Sequence, residues 1–170
     1  FHSPGVKILN ESSPGSYAAR SKGIRAAIGE VLAFTDSDCI PDDLWLACAV
    51  QHLGHGVERV AGRIELFYES EKLNMVECYE KAFSFDQLRY ANRGVAVTAN
   101  MVTWRHHFDR VGLFNEELMS GGDIEWGKRA ALLGIPISYA HDSIVYHPAR
   151  REAREWFRKR RRLIAARLAT

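Results

Sequence analysis

Val31-Leu32-Ala33-Phe34-Thr35-Asp36-Ser37-Asp38 is the stretch on which the fold turns. Four apolar residues and a threonine give way abruptly to two carboxylates that stand two positions apart. A continuous apolar run of this length predicts a strand buried on both faces, and the polarity switch marks its carboxyl end. In an open α/β sheet, ligands bind beyond the carboxyl ends of strands, so Asp36 and Asp38 occupy a place where chemistry is expected.

Upstream, Arg20, Ile24, Ala27 and Ile28 share one face of a predicted helix from Ala18 to Ile28, closed by Gly29 as a left-handed cap. Before it, Val6 to Leu9 reads as a short strand and Glu11 to Ser16, rich in turn formers, as a loop. Downstream, Pro41 followed by Asp42 and Asp43 predicts a helix start, with the helix running to about Leu53. The remaining pattern predicts a strand over Val57 to Tyr68 and a long helical segment from Glu71 to about Asn92. A strand over Val95 to Val102 and a short helix over Arg105 to Val111 follow. A helix over Asp123 to Leu133 closed by Gly134 and a strand over Ile137 to Ala140 complete the series. Helices alternating with buried strands predict an α/β fold, a mixed, mostly parallel sheet flanked by helices.

The 170 residues, 46% hydrophobic and 26% charged, suffice for one core and show no bias toward disorder. No run approaches the roughly 20 apolar residues of a membrane span, and Phe1 to Pro4 lack a leader pattern. Cys39, Cys48 and Cys78 are odd in number and have no C-x-x-C spacing, which argues against a disulfide framework and a structural zinc site, and predicts a cytoplasmic setting. The formal charge of +2 hides an asymmetry. Residues 150–170 carry nine Lys/Arg against Glu152 and Glu155, which leaves the rest of the chain acidic.

Two carboxylates at a strand end repel unless a cation joins them, and hard oxygen donors suit Mg²⁺ or Mn²⁺ together with the oxygens of a diphosphate. The same pair also serves elsewhere as a helix cap or surface turn. A second constellation is Ser120-Gly121-Gly122-Asp123-Ile124-Glu125-Trp126. Its glycines allow close backbone approach, and Asp123 at a helix start could take a proton from a hydroxyl. Ser120 and Asp123 equally match a capping box, and Glu125 with Arg129 an ordinary i,i+4 pair. A third is His147, between apolar Ile144-Val145-Tyr146 and Pro148, either a metal ligand or a hydrogen-bonded structural imidazole.

Taken in order, these pieces resemble family 2 glycosyltransferases. Pro14 to Ile24 and Gly29 to Pro41 resemble the donor-binding region. Thr98-Ala99-Asn100-Met101, Phe108 to Glu116, Gly121 to Trp126 with Arg129 and Gly134, and Val145-Tyr146-His147-Pro148 resemble the acceptor side. The resemblance covers roughly residues 6 to 150. It implies a GT-A (Rossmann-like) fold, a partial glycosyltransferase domain over residues 1–149 that lacks the first nucleotide-binding strands, and a basic amphipathic helix over 150–170. It implies a metal-dependent, inverting enzyme of bacterial type that takes a nucleotide-sugar donor and a glycan or lipid-linked acceptor. Asp38 and His147 then hold Mn²⁺ or Mg²⁺, and Asp123 is the general base, with Glu125 able to share that role. Asp36, Arg20, Asn100, Gly121 and Gly122 lie toward the donor and Trp126 toward the acceptor. Gly122 stands where the family usually has an acidic residue, and Ser21 where Asn is common.

The basic tail mixes Trp156, Phe157, Leu163 and Ile164 among arginines. It reads either as a peripheral contact with the inner face of an anionic membrane or as a surface helix packed on the domain. An acidic body with no base-reading module argues against nucleic acid. Competing readings are a nucleotidyltransferase, which lacks its glycine-rich basic loop here, and a non-catalytic fragment that retains the fold.

Overall fold

A computed structural model describes residues 5–54 and 56–169, with side chains as far as residue 164. Phe1 to Pro4, read above for a leader pattern, lie outside the described residues. The elements are α1 (Ser16–Ala26), β1 (Val31–Thr35), β2 (Ile40–Pro41), α2 (Trp45–Leu53), β3 (Arg59–Phe67), α3 (Met75–Phe83), α4 (Gln87–Ala91), β4 (Asn100–Trp104), α5 (His106–Val111), α6 (Gly122–Leu132), β5 (Ile137–Pro148) and α7 (Ala153–Ala169).

The sheet order is β1-β4-β3-β5-β2. It is mixed and flanked by helices as expected, but only β3 and β5 pair in parallel, while β1 with β4, β3 with β4 and β2 with β5 are antiparallel. The expectation of mostly parallel strands therefore needs correction. Alternation of helix and strand fixes neither the end at which a strand re-enters the sheet nor its direction. Here β2 is a two-residue return close after β1, and β4 re-enters beside β3 antiparallel after two short helices.

Adjacent positions along the central strands feed two cores, one on each sheet face. Ala61 and Met101 join Tyr17, Ile24, Leu32, Phe108, Phe114 and Trp126 on one side, while Val60, Val102 and Val145 join Trp45, Ala49 and Leu53 on the other. The period of two along a strand accounts for this division, and the 45, 49, 53 spacing gives α2 its apolar stripe. Each large side chain so buried stabilises the fold by about 1.5–3 kcal/mol. Strand β1 is at the sheet edge, with Ala33 exposed, so its apolar run is less enclosed than predicted.

Several boundaries differ from those predicted. Residues 6–9 form no strand, Gly29 is not the cap of α1, and Pro41 lies in β2 rather than in a helix. Ile137 to Ala140 is only the start of a twelve-residue strand. The long helix expected over 71–92 is broken at Phe85, whose φ of 58° is the only positive value at a non-glycine position among the described residues. The break follows from capping on both sides. Asn74 and Glu77 form a capping box at the start of α3, and Asp86 caps α4 by accepting from the Arg89 amide. Buried Gln87 then anchors α4, exchanging hydrogen bonds with Val97 and donating to the Asn100 carbonyl. Left-handed backbone at a bulky residue costs about 1–2 kcal/mol, which this anchoring offsets.

Helix α7 packs back on α3. Trp156 meets Tyr79 edge-on at 5.2 Å, and the buried Glu80 carboxylate takes Arg150 at 3.2 Å and Lys159 at 3.4 Å.

Candidate functional site

The pairing of β2 with β5 assembles the site. Asp36 ends β1, the chain turns through a hydrogen bond from the Cys39 amide to the Asp36 carbonyl, and Ile40 then lies in register with Tyr146. That register brings the turn against His147. Ligand atoms of Asp36, Asp38, Cys39 and His147 all lie within 4.8 Å of one another.

His147 is buried, and its Nδ1 lies 2.7 Å from the Pro148 carbonyl. A carbonyl only accepts, so Nδ1 carries the proton and Nε2 keeps its lone pair, the tautomer a metal ligand needs. Burial holds the imidazole below its ordinary pKa, which keeps it neutral. Two carboxylates and a neutral imidazole within 4.8 Å of one another are a donor set whose chemistry suits Mg²⁺ or Mn²⁺. The Cys39 thiol is pushed up by burial and keeps its proton.

Arg20, one turn into α1, donates to Asp36 at 2.5 Å, and its guanidinium lies 5.4 Å from the centre of the Tyr17 ring. Tyr17 in turn donates its hydroxyl to Asp123 at 3.0 Å. The backbone amides of Thr98 and Ile124 also donate to that carboxylate, at 3.2 and 2.9 Å. Asp123 sits in the first turn of α6 and is only 8% exposed. Burial pushes its pKa up, and the Thr98 amide and the Tyr17 hydroxyl work against that rise. One connected path, Asp123 to Tyr17 to Arg20 to Asp36, thus joins the buried carboxylate to the metal-type cluster.

The two glycines before Asp123 have separate causes. Gly121 caps α6 in the left-handed region, with φ of 77°. Gly122 touches Tyr17 so closely that a Cβ there would lie 2.8 Å from the ring. An acidic side chain at 122 has no room while Tyr17 holds its position.

Three expected site residues are otherwise engaged. Trp126, expected toward the acceptor, is 0% exposed, donates to the Gly112 carbonyl at 2.8 Å and stacks on Phe108. It is a core residue because the helical spacing that follows Asp123 turns it inward. Glu125, offered as a second base, is held by Arg129 at 2.6 and 2.9 Å, and Arg129 also reaches the Leu113 carbonyl. That pair ties α6 to the segment after α5. Asn100, expected toward the donor, accepts from Trp45 at 2.8 Å and donates to the carbonyls of Arg63 and Ser143 at 2.8 and 2.9 Å. Both its amide hydrogens are consumed in clamping the irregularity where the β3–β5 register shifts beside Gly62. Tyr17 and Cys39 were not anticipated. Only Cys39 carried a signal, its position directly after the aspartate pair.

A groove of about 740 Å³ opens beside Asp38 and His147, lined by Arg150, Arg151, Arg158 and Arg162 and also by Glu69, Glu152 and Glu155. The first two are paired with Glu80 and with Glu69 and Glu77, whereas Arg158 and Arg162 have no acidic partner among the described residues.

Residues 2–166 match the family described as glycosyltransferase like family 2, and the chain belongs to it. Glycosyltransferase AglE of Haloferax volcanii is 38% identical over 148 residues, 84% of this chain and 47% of that protein. The pre-mycofactocin glycosyltransferase of Mycobacterium tuberculosis is 29% identical over 165 residues, 91% of this chain and 35% of that protein. The chain therefore spans less than half the length of these curated relatives. Among solved structures, the mannosyltransferase PcManGT of Pyrobaculum calidifontis, in complex with GDP-Man and Mn²⁺, superposes with a TM-score of 0.68 at 20% identity, over 91% of this chain and 43% of that one. GalNAc-T7 with UDP, GalNAc and Mn²⁺ gives 0.63 at 18% identity, over 85% and 32%. The fold is the GT-A type these enzymes share.

Proposed function

We propose that this chain carries the catalytic centre of a metal-dependent, inverting glycosyltransferase that moves a sugar from a nucleoside-diphosphate sugar to an acceptor hydroxyl. The observation that carries this reading is the convergence of Asp36, Asp38 and His147, with Asp123 joined to them through Tyr17 and Arg20. Asp38 and His147 hold Mn²⁺ or Mg²⁺, and Asp36, steadied by Arg20, faces the donor ribose or sugar. A bound ion supplies charge neutralisation on the departing nucleoside diphosphate.

Asp123 takes the proton of the acceptor hydroxyl as its oxygen attacks the anomeric carbon. Direct attack by that oxygen opposite the leaving group inverts the configuration. Burial supports the role of Asp123, because a carboxylate raised toward the working pH is a better base. The complexes of PcManGT and GalNAc-T7 with Mn²⁺ and nucleotide support the donor class and the metal.

The acceptor is a glycan or a lipid-linked sugar entering along the groove beside Asp38 and His147. Phe157 and Ile164, 60% and 57% exposed among arginines on α7, favour peripheral attachment to an anionic membrane from the cytoplasmic side. None of the described helices is long and apolar enough to cross a membrane.

Transfer measured on the full native protein tests the base. Asp123→Asn should lower turnover by about 10²- to 10⁴-fold while leaving Mn²⁺ affinity unchanged. Near-normal turnover would remove Asp123 from the role.

A further inference from the structure

We propose that Phe85 is a positioning residue for His147, and that the strained turn between α3 and α4 exists to press its ring against that imidazole. This inference rests on the reading of His147 as a metal ligand.

Four observations converge on it. Phe85 is the single described non-glycine residue in the left-handed region, at a position that glycine would occupy without strain. Its ring centroid lies 4.3 Å from that of His147, with the planes tilted by 39°. Lys159 of α7 lies 4.6 Å from the centre of the same ring. Lys159 is in turn held by Glu80, so α7, α3 and the turn are joined at this point.

The chemistry of His147 explains what the contact contributes. The hydrogen bond from Nδ1 to the Pro148 carbonyl selects the tautomer and anchors one atom of the ring. A single hydrogen bond does not hold the ring by itself: a turn about the Cβ–Cγ bond loosens the contact of Nδ1 with the Pro148 carbonyl and displaces Nε2 from the cluster of Asp36 and Asp38. An aromatic face at 4.3 Å closes this freedom, as outer contacts of metal-bound histidines commonly do. Strained backbone persists where the surroundings over-determine it, and it concentrates at functional sites. Here the elements on both sides of the turn are fixed independently. Asn74 and Glu77 fix the start of α3, while Asp86 and buried Gln87 fix α4. An account based on core packing alone would favour Phe at an ordinary backbone angle.

The test is a double-mutant cycle on Mn²⁺ affinity, with Phe85→Gly and His147→Ala singly and together in the full chain, read by the EPR signal of free Mn²⁺. Glycine accepts the left-handed backbone, so Phe85→Gly removes the ring without enforcing strain. Phe85→Gly should weaken Mn²⁺ binding about tenfold in the native background and change it by less than about twofold once His147 is alanine, since the lost contact acts only through that ring. Phe85→Tyr should restore native affinity. A second readout needs no metal, because ¹⁵N spectra should show the Nδ1–H tautomer of His147 fixed in the native chain and mixed in Phe85→Gly. Equal loss in both backgrounds would mark general damage and overturn the proposal, as would unchanged affinity with an unchanged tautomer. Native protein that binds no Mn²⁺ would instead sink the metal reading itself, and an unmixed tautomer in Phe85→Gly would then end this inference as well.

Discussion

The Tyr17 hydroxyl lies 3.0 Å from the Asp123 carboxylate across 106 residues of chain, and its hydrogen bond favours the ionised form of that carboxylate. Burial raises the pKa of Asp123 most, and the hydrogen bond from Tyr17 is one of the effects that lower it. Tyr17→Phe should therefore move the acid limb of the kcat/KM profile to higher pH, by about one unit for the loss of a bond to a charged acceptor. The sign follows from the role, because only the ionised carboxylate accepts a proton. The folded pKa exceeds the unfolded one, so ionising Asp123 costs stability. That cost is absent below the ordinary carboxylate range, grows as pH rises above it and is complete once pH has passed the folded value. A pH profile unmoved by Tyr17→Phe would separate the two residues functionally.

Gly122→Ala should act on the same contact from the other side. A methyl group 2.8 Å from the Tyr17 ring must displace it, at a cost of about 1–3 kcal/mol in stability. Thermal unfolding should show a lowered Tm, and the acid limb should shift in the same direction as for Tyr17→Phe. Native stability in this variant would mean that the ring moves freely and does not fix the hydroxyl.

These two side chains mark the limit of what the sequence reveals. Asp36, Asp38 and Asp123 announce themselves by standing where an apolar run ends or a helix begins, and the order of the motifs gives the fold. The contact of Tyr17 with Gly122 depends on two segments a hundred residues apart meeting in space, and no local pattern records it. Asn100, Glu125 and Trp126 carry chemically plausible side chains in the right motifs, yet tertiary partners consume all three. Phe85 is hidden because helical spacing continues through it. Only the competing caps of Asn74 and Asp86, together with the burial of Gln87, force the break there. The direction of β4 was likewise illegible, since alternation of elements is compatible with either sense.

Attachment through α7 predicts a clean separation between lipid binding and folding. Phe157→Ser combined with Ile164→Ser removes two exposed apolar side chains that touch no core cluster, so Tm should hardly change. Sedimentation with vesicles rich in anionic lipid should fall about tenfold or more, given the transfer free energy of each apolar side chain. Deleting α7 is a poorer test, because it would take Lys159 from buried Glu80 and Trp156 from Tyr79. Unchanged vesicle binding in the double variant would assign the exposed stripe to solvent.

A cation bound between Asp38 and His147 is the central expectation of the proposed function, and Mn²⁺ titration monitored by EPR in the presence of a nucleoside diphosphate tests it. The native protein should bind one Mn²⁺ per chain, with Asp38→Ala and His147→Ala each weakening it by about 10- to 100-fold, a typical loss on disturbing a metal site. Native-like affinity in both variants would contradict the account.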